Sequence, residues 1–336
     1  LLRLRASYGV TGGQNFNPYQ AMTTYRFITD KWYGYGSGAE MLALGNDDLK
    51  WQSTVQKNFG LDLGMWKDRL TLTFNYYHKL SENSLTDVTL PPSLGFPSYK
   101  ENLGEVVNEG WEFTLRGFVV KKEDFNIMLS VNGAQNNNKL KKISNSLKAF
   151  NEEQDKQVEN KVMARYVEGQ SLNTIWVVRS LGIDPANGKE LFLDKNGKRT
   201  YDWNADDYVA EATTDPRLYG NLGLGIFYRG FSLNTYVNYS LGEKAYNQTL
   251  VDRVENADKH YNCDRRVLYD RWHKPGDETF FKDVKDASVT RPTSRFVQKN
   301  NYLNMTSLNV AYEFNPRLLE PLRIKYLKLA FYMTDL

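Results

Sequence analysis

Residues 57–79 read KNFGLDLGMWKDRLTLTFNYYHK, and their alternation decides the fold. Phe59, Leu61, Leu63 and Met65 are separated by Gly60, Asp62 and Gly64. After the turn Trp66 to Arg69, Leu70, Leu72, Phe74 and Tyr76 are separated by Thr71, Thr73 and Asn75. A period of two places one kind of residue on each face of an extended strand. Two such runs joined by a tight turn predict an antiparallel hairpin with one apolar and one polar face. Pairing them about the turn sets Met65 opposite Leu70, Leu63 opposite Leu72 and Leu61 opposite Phe74. Farther out, the same register sets Lys57 opposite His78.

The pattern recurs along the chain. Leu2, Leu4, Ala6 and Tyr8 alternate with Arg3, Arg5 and Ser7. Trp111, Phe113 and Leu115 lead to a turn at Val120 to Asp124 and return through Phe125, Ile127, Leu129 and Val131. Leu222, Leu224, Ile226 and Tyr228 meet Phe231, Leu233, Val237 and Tyr239 across Arg229-Gly230, a pair suited to a primed hairpin turn with positive φ. Leu308, Val310, Tyr312 and Phe314 pair with Leu327, Leu329 and Phe331 across a Pro-containing turn around Asn315 to Arg323. Long polar loops separate these units, at about 10–51, 81–104, 138–219 and 242–301. The third is too long to be structureless. Within it, Glu190 to Trp203 predicts a small hairpin turning at Asn196-Gly197.

Short turns at one end and long loops at the other describe a transmembrane β-barrel of outer-membrane type. Composition agrees. Charged residues make up 25% of the 336, the mean hydropathy is −0.59, and no apolar run approaches the ~20 residues of a spanning helix. In a barrel only alternate strand residues meet lipid, so a hydrophilic average is expected. Glu112, Thr114, Arg116, Asn126, Ser130 and Asn132 belong on the lumen side, and Lys57 and His78 at the outer headgroup level. Trp111, Tyr228, Tyr239 and Tyr312 suit interfacial girdles. The fold class is therefore all-β, an antiparallel barrel wall. About nine strands do not make the even count of a closed bacterial barrel, so they form an arc of a larger one.

The net charge of +3 is small and its basic residues are scattered, which argues against nucleic acid. One cysteine, Cys263, leaves no intrachain disulfide and no redox pair. His78, His260 and His273 are not at metal-ligand spacing, and no catalytic motif is present. Asp184-Pro185, Asp194 and Asp206-Asp207 lack the spacing of calcium loops and read as turns. Neither an enzyme activity, a cofactor nor a metal is expected.

Several stretches also resemble the SusC/RagA-type TonB-linked outer-membrane proteins. They are LRASYGVTGGQNF at 4–16, NDDLKWQ at 46–52, DRLTLTFNYYHK at 68–79, NLGEVVNEGWEF at 102–113 and RSLGIDPANGKELFLDKNG at 179–197, with 215–233 alongside. DRWHKPGD at 270–277 and TSRFVQKNNYLNMTSLNVAYEF at 293–314 follow. Gly13 stands where that family usually has Asn, and MTDL at 333–336 where it usually reads close to GNNL and continues. The resemblance implies that residues 1–336 are the C-terminal portion of a 22-stranded barrel in the outer membrane of a Gram-negative bacterium. It also implies TonB-energised import of oligosaccharide or oligopeptide beside a SusD-like surface lipoprotein. The plug, the TonB-contacting segment and the final strands would lie outside this chain.

Aromatics outside the strand patterns, Trp32, Tyr35, Trp176, Tyr201, Trp203 and Trp272, are candidate cargo contacts, because a ring face can stack on a sugar or grip a side chain. Arg179 and Arg295 could add fixed hydrogen bonds. The alternative is that these residues fill the loop core or pack on the lipoprotein. Gly60, Gly64, Gly223 and Gly225 fall on the polar face, where a plug could pack closely or where they relieve curvature. A passive glycan-holding barrel and a soluble β-sandwich lectin are the competing readings. The sandwich would bury its apolar face.

Overall fold

The computed structural model describes residues 1–336 apart from 14–20, 90–97, 103, 157–159, 259 and 335–336. Nineteen strands follow one another among the described residues. β1 (Leu2–Gly13), β2 (Thr24–Tyr33), β3 (Gly36–Ala43), β4 (Gln52–Met65), β5 (Leu70–Glu82), β6 (Leu85–Thr89) and β7 (Ser98–Asn102) come first. β8 (Gly104–Lys121), β9 (Phe125–Ile143), β10 (Thr174–Ile183), β11 (Glu190–Leu193), β12 (Arg199–Thr200) and β13 (Tyr208–Thr213) follow. β14 (Leu218–Tyr228), β15 (Phe231–Leu241), β16 (Lys244–Tyr246), β17 (Val297–Lys299), β18 (Tyr302–Glu313) and β19 (Lys328–Thr334) complete the set.

Nine of them form one antiparallel sheet in the order β1-β4-β5-β8-β9-β14-β15-β18-β19, each strand beside its neighbour in an up-and-down arc. The register expected from residues 57–79 is the register found: Met65 opposite Leu70, Leu61 opposite Phe74, Lys57 opposite His78. The turn between them carries Trp66, Lys67 and Asp68 at φ 54°, 56° and 60°. Arg229 and Gly230 both take positive φ, as a primed turn requires. The connection before β19 is more than a turn. Asn315 caps a short helix, Pro316–Leu319, by accepting from the Arg317 N–H.

Strands run beyond the alternating patterns. β1 continues through Gly9, Gly12 and Gly13 because Gln52 to Gln56 of β4 pair with it. β8 and β9 likewise extend to Gly104 and Ile143 through the Asn-rich run 136–138. Neither glycines nor asparagines favour strands, and a partner already in register overrides that weak preference. The Asn108 side chain accepts from Asn136 at 3.3 Å and Asn138 at 3.0 Å, so these amides also satisfy one another.

The apolar face lies open: Leu4 is 76% exposed and Phe331 56%. No second sheet covers it among the described residues, which rules out a β-sandwich. From Trp111 to Val120 β8 runs roughly 30 Å at ~3.4 Å per residue, or about 23 Å of height at a ~40° tilt, close to the ~25 Å apolar band of such barrels. Above it, Lys57, His78 and Glu109 stand side by side on β4, β5 and β8. Near the short turns, Tyr228 packs edge-on against Phe125 and Tyr312 against Phe314. Tyr239 differs from the girdle residue expected: it is only 9% exposed. Its hydroxyl donates to the Asn132 carbonyl at 2.7 Å, two strands away. Side-chain-free Gly220 and Gly133 leave the space, since a Cβ on either would come within 3.1 Å of that hydroxyl.

The buried clusters sit at the loop end. Val106, Leu140 and Ile143 of β8 and β9 pack with Leu147 of helix α1 (Asn145–Lys156). Leu250, Val251, Val254, Val267, Phe281 and Phe296 form a second cluster within 242–301. A four-stranded sheet in the order β12-β11-β10-β13 occupies the second half of the loop 138–219 and contains the expected hairpin, closed by the Gly197 N–H donating to the Asp194 carbonyl at 3.0 Å.

Candidate functional site

Two loops meet over this small sheet. The Val178 N–H of β10 donates to the Pro292 carbonyl at 3.2 Å, and the Trp203 indole N–H donates to the same oxygen at 3.1 Å. Between them lies a cavity of about 750 Å³. Lys189, Tyr201, Asp202 and Trp203 form one wall, Lys282 and Arg291 the other. The Arg291 guanidinium lies 4.9 Å from the Trp203 ring centre, and Tyr208 meets that ring edge-on. The cavity is aromatic on one side and lined by charges of both signs. It can grip a polar chain by stacking, by hydrogen bonds from Lys189 and by acceptance at Asp202.

Tyr201 is fixed from below. Its hydroxyl donates to Asp184. That hydrogen bond, aided by the Ala186 N–H, holds the Asp184 carboxyl below its ordinary range and raises the phenol. Asp184 and Asp194 accept backbone N–H bonds in tight turns, as the turn reading expects, whereas Asp207 accepts from the Lys195 N–H twelve positions away. Among the described residues no group of three or more His, Cys, Asp and Glu side chains is placed to hold a metal ion.

Arg295 lies beneath the cavity. Its side chain is 4% exposed, paired with Glu190 at 2.8 Å and Glu255 at 2.5 Å, and it also donates to the Phe280 carbonyl. The rings of Phe280 and Phe296 flank it. Burial alone would lower its pKa, but the two carboxylates outweigh burial and raise it. Lys282, buried beside it, donates to the Ser288 carbonyl and is lowered by burial against the pull of Asp286 and Glu255. Arg295 thus ties β11, the helical turn Val251–Glu255 and the 294–296 turn together. In this arrangement its guanidinium is engaged by Glu190, Glu255 and the Phe280 carbonyl and holds the cavity wall in place.

The other candidates lie apart. Trp176 is buried on β10 with the Arg165 guanidinium over its ring. Arg179 pairs with Glu211 at 3.2 Å. The Trp272 indole N–H donates to the Pro185 carbonyl at 2.9 Å, and its ring lies over Gly188. Trp32 pairs by its backbone with Ser37 in the separate β2-β3 hairpin, whose turn holds Tyr35 fully exposed. Sequence reasoning therefore placed two residues, Tyr201 and Trp203, on one cavity and missed Lys189, Lys282 and Arg291. Lysines and arginines on loops carry no periodic signal.

On the polar face of the large sheet, the space over the glycines is taken by the sheet's own side chains. A Cβ at Gly60 would meet Arg5 and Asn75, at Gly64 Asp68, and at Gly223 Ser130 and Tyr236; Gly225 is looser, with Asn234 at 3.2 Å. Arg5 pairs with Asp62 at 2.8 Å and donates to Asn75 at 2.9 Å, and Asn75 donates on to Glu112 at 3.1 Å.

Comparison with known proteins adds a family. The model described as "TonB dependent receptor-like, beta-barrel" matches residues 1–257. TonB-dependent receptor P39 of Formosa agariphila is 24% identical over 96% of this chain and 35% of its own length. TonB-dependent receptor SusC of Bacteroides thetaiotaomicron is 28% identical over 73% of this chain and 26% of its own. The chain thus spans about a third of the length of the curated relatives it matches. A solved structure of the RagAB peptide transporter superposes with a TM-score of 0.80 at 23% identity, over 100% of this chain and 37% of the other. The same importer in its open-open state gives 0.77 at 22%, over 100% and 36%.

Proposed function

We propose, from the premise that this chain belongs to the TonB-dependent receptor-like β-barrel family, that it forms part of the wall of an energised importer of oligosaccharide or oligopeptide. The family is one of outer-membrane receptors and transporters rather than enzymes. The observation that carries the reading is the division of the large sheet: an open apolar face of the height of a bilayer core, and a polar face carrying linked Arg, Asp, Asn and Glu. Polar residues in such numbers are tolerated in a membrane only around a lumen.

The cavity beside Tyr201 and Trp203 stands among the long loops, at the end where cargo would arrive. A SusD-like surface lipoprotein as partner, and coupling to TonB through segments outside this chain, belong to the same proposal. The name of the RagAB relative supports peptide cargo and leaves oligosaccharide open. Uptake of labelled maltoheptaose and of a labelled tryptic peptide pool, by cells with and without TonB, tests it. Uptake of one of them should require both this protein and TonB. Capture at the surface without TonB-dependent entry would instead identify a passive holding barrel.

A further inference from the structure

The polar face is not uniform. On β1, β4, β5 and β8 it carries Arg3, Arg5, Asp62, Lys79, Glu112 and Arg116. From β9 to β19 the same face is made of other residues. Five rows cross these strands between the loop end and the short turns. They are Ala134–Tyr219–Ser240–Tyr302, Asn132–Asn221–Asn238–Asn304, Ser130–Gly223–Tyr236–Ser307–Thr334, Met128–Gly225–Asn234–Asn309–Tyr332 and Asn126–Phe227–Ser232–Ala311–Ala330. None of these residues bears a carboxylate, ammonium or guanidinium group; the charged pair Glu313–Lys328 on the same face of β18 and β19 stands beyond the last row, at the short turns.

Every row but the second and last contains a tyrosine, and the last contains Phe227. These five rings, Tyr219, Tyr302, Tyr236, Tyr332 and Phe227, are 40–64% exposed although they face the lumen side. Gly223 opposite Tyr236 makes room for its ring, since a Cβ there would come 2.9 Å from it. Between the rings stand carboxamides. Among the described residues those of Asn234, Asn238 and Asn304 make no hydrogen bond, and the Asn309 amide oxygen is enclosed without a partner. At the outer end Asn75, Glu112, Asn132, Asn221, Asn238 and Tyr302 border a hollow of about 460 Å³. With ~6.8 Å between successive rows, the set covers roughly 27 Å of strand, or about 21 Å of height at a ~40° tilt, most of the ~25 Å apolar band of such barrels.

We infer that this neutral half of the wall is the track along which cargo descends, and that cargo is an uncharged hydrogen-bonding oligomer, its hydroxyls or peptide groups exchanging from one amide to the next. A carboxamide both donates and accepts, so it serves either chemistry. Exposed rings offer stacking that tolerates sliding. A fixed charge would bind counter-charged groups too firmly for release, and the half of the wall with fixed charges spends Arg5, Asp62, Asn75 and Glu112 on one another.

The inference rests on the import reading, and one experiment separates the two. In the full-length protein with Cys263→Ser, cysteine is placed on the track (Asn238→Cys, Asn304→Cys) or on the charged half away from the hollow (Ser7→Cys, Thr71→Cys). Labelling by a neutral maleimide is followed on cells with and without an uncoupler that collapses the inner-membrane proton gradient. Two positions on each half guard against one variant that fails to fold. Energised cells should label the track positions several-fold faster than the charged-half positions, with the difference lost on uncoupling. Energy-dependent labelling that favours the charged half, or treats both alike, overturns the track and leaves import standing. Labelling indifferent to the uncoupler at every position overturns both.

Discussion

On the large sheet Leu4 and Phe331 stand open while Arg5, Asp62, Asn75 and Glu112 are joined side chain to side chain. In the loops above it Val251, Val254 and Phe296 are fully enclosed, and Arg295 is enclosed with them between two carboxylates. The two regions share one chain and obey the same rules. They differ in what surrounds them. A wall between lipid and lumen needs no core, because its apolar face has a solvent of its own. Loops in water must build a core, and these close it around an ion pair whose desolvation cost is met only while every partner is present.

The sharpest way to break the contrast is Arg295→Met. Removing it leaves Glu190 and Glu255 buried and unpaired, a loss of about 3–5 kcal/mol. Limited proteolysis in detergent should cut within 242–301 while the heat-modifiable mobility of the barrel on gels is kept; loss of both together would show that loops and wall are one unit. Next is Leu72→Arg on the open face, expected to cost about 2–4 kcal/mol in lipid near the midplane. Thr73→Arg, one residue away on the other face, should change stability by about 0.5 kcal/mol or less. Unfolding in vesicles measures both, and equal costs would mean that the faces are assigned wrongly.

The smallest effect expected is on pH. Asp184 is held below its ordinary value of 3.8, chiefly by the Tyr201 hydroxyl. A depressed folded pKa gives a contribution that is complete above the unfolded value and lost as pH falls through the folded one. The Tyr201 side chain should therefore keep its hydroxyl environment unchanged over about pH 5 to 8 and release it only under stronger acid. A change of that signal by NMR between those limits would argue against the anchor.

The wall was legible in the sequence because its constraint is local and repeating. Phe59 to Tyr76 state their faces, their turn and their register without help from the rest of the chain. What escaped was set by distant partners: the run of β1 through Gly12 and Gly13 depends on β4, and the length of β9 through Asn136 to Asn138 on β8. The loop site was legible in part. Tyr201 and Trp203 stood out as aromatics away from any strand pattern. Arg295 also stood out, but its role depends on Glu190, 105 positions away, and on Glu255. Nothing in the spacing of three charged residues announces that they will meet in the dark.

Tyr239 has a mechanical meaning. Its ring starts on β15, crosses Gly220 of β14 and ends hydrogen-bonded on β9, so it acts as a diagonal strut over three adjacent strands. Sliding of any one of them along its neighbours would have to tear that tie first. The wall at this height should therefore move as a stiff plate. If the lumen widens when cargo passes, the deformation belongs to what the plate encloses or to the strands on either side of it.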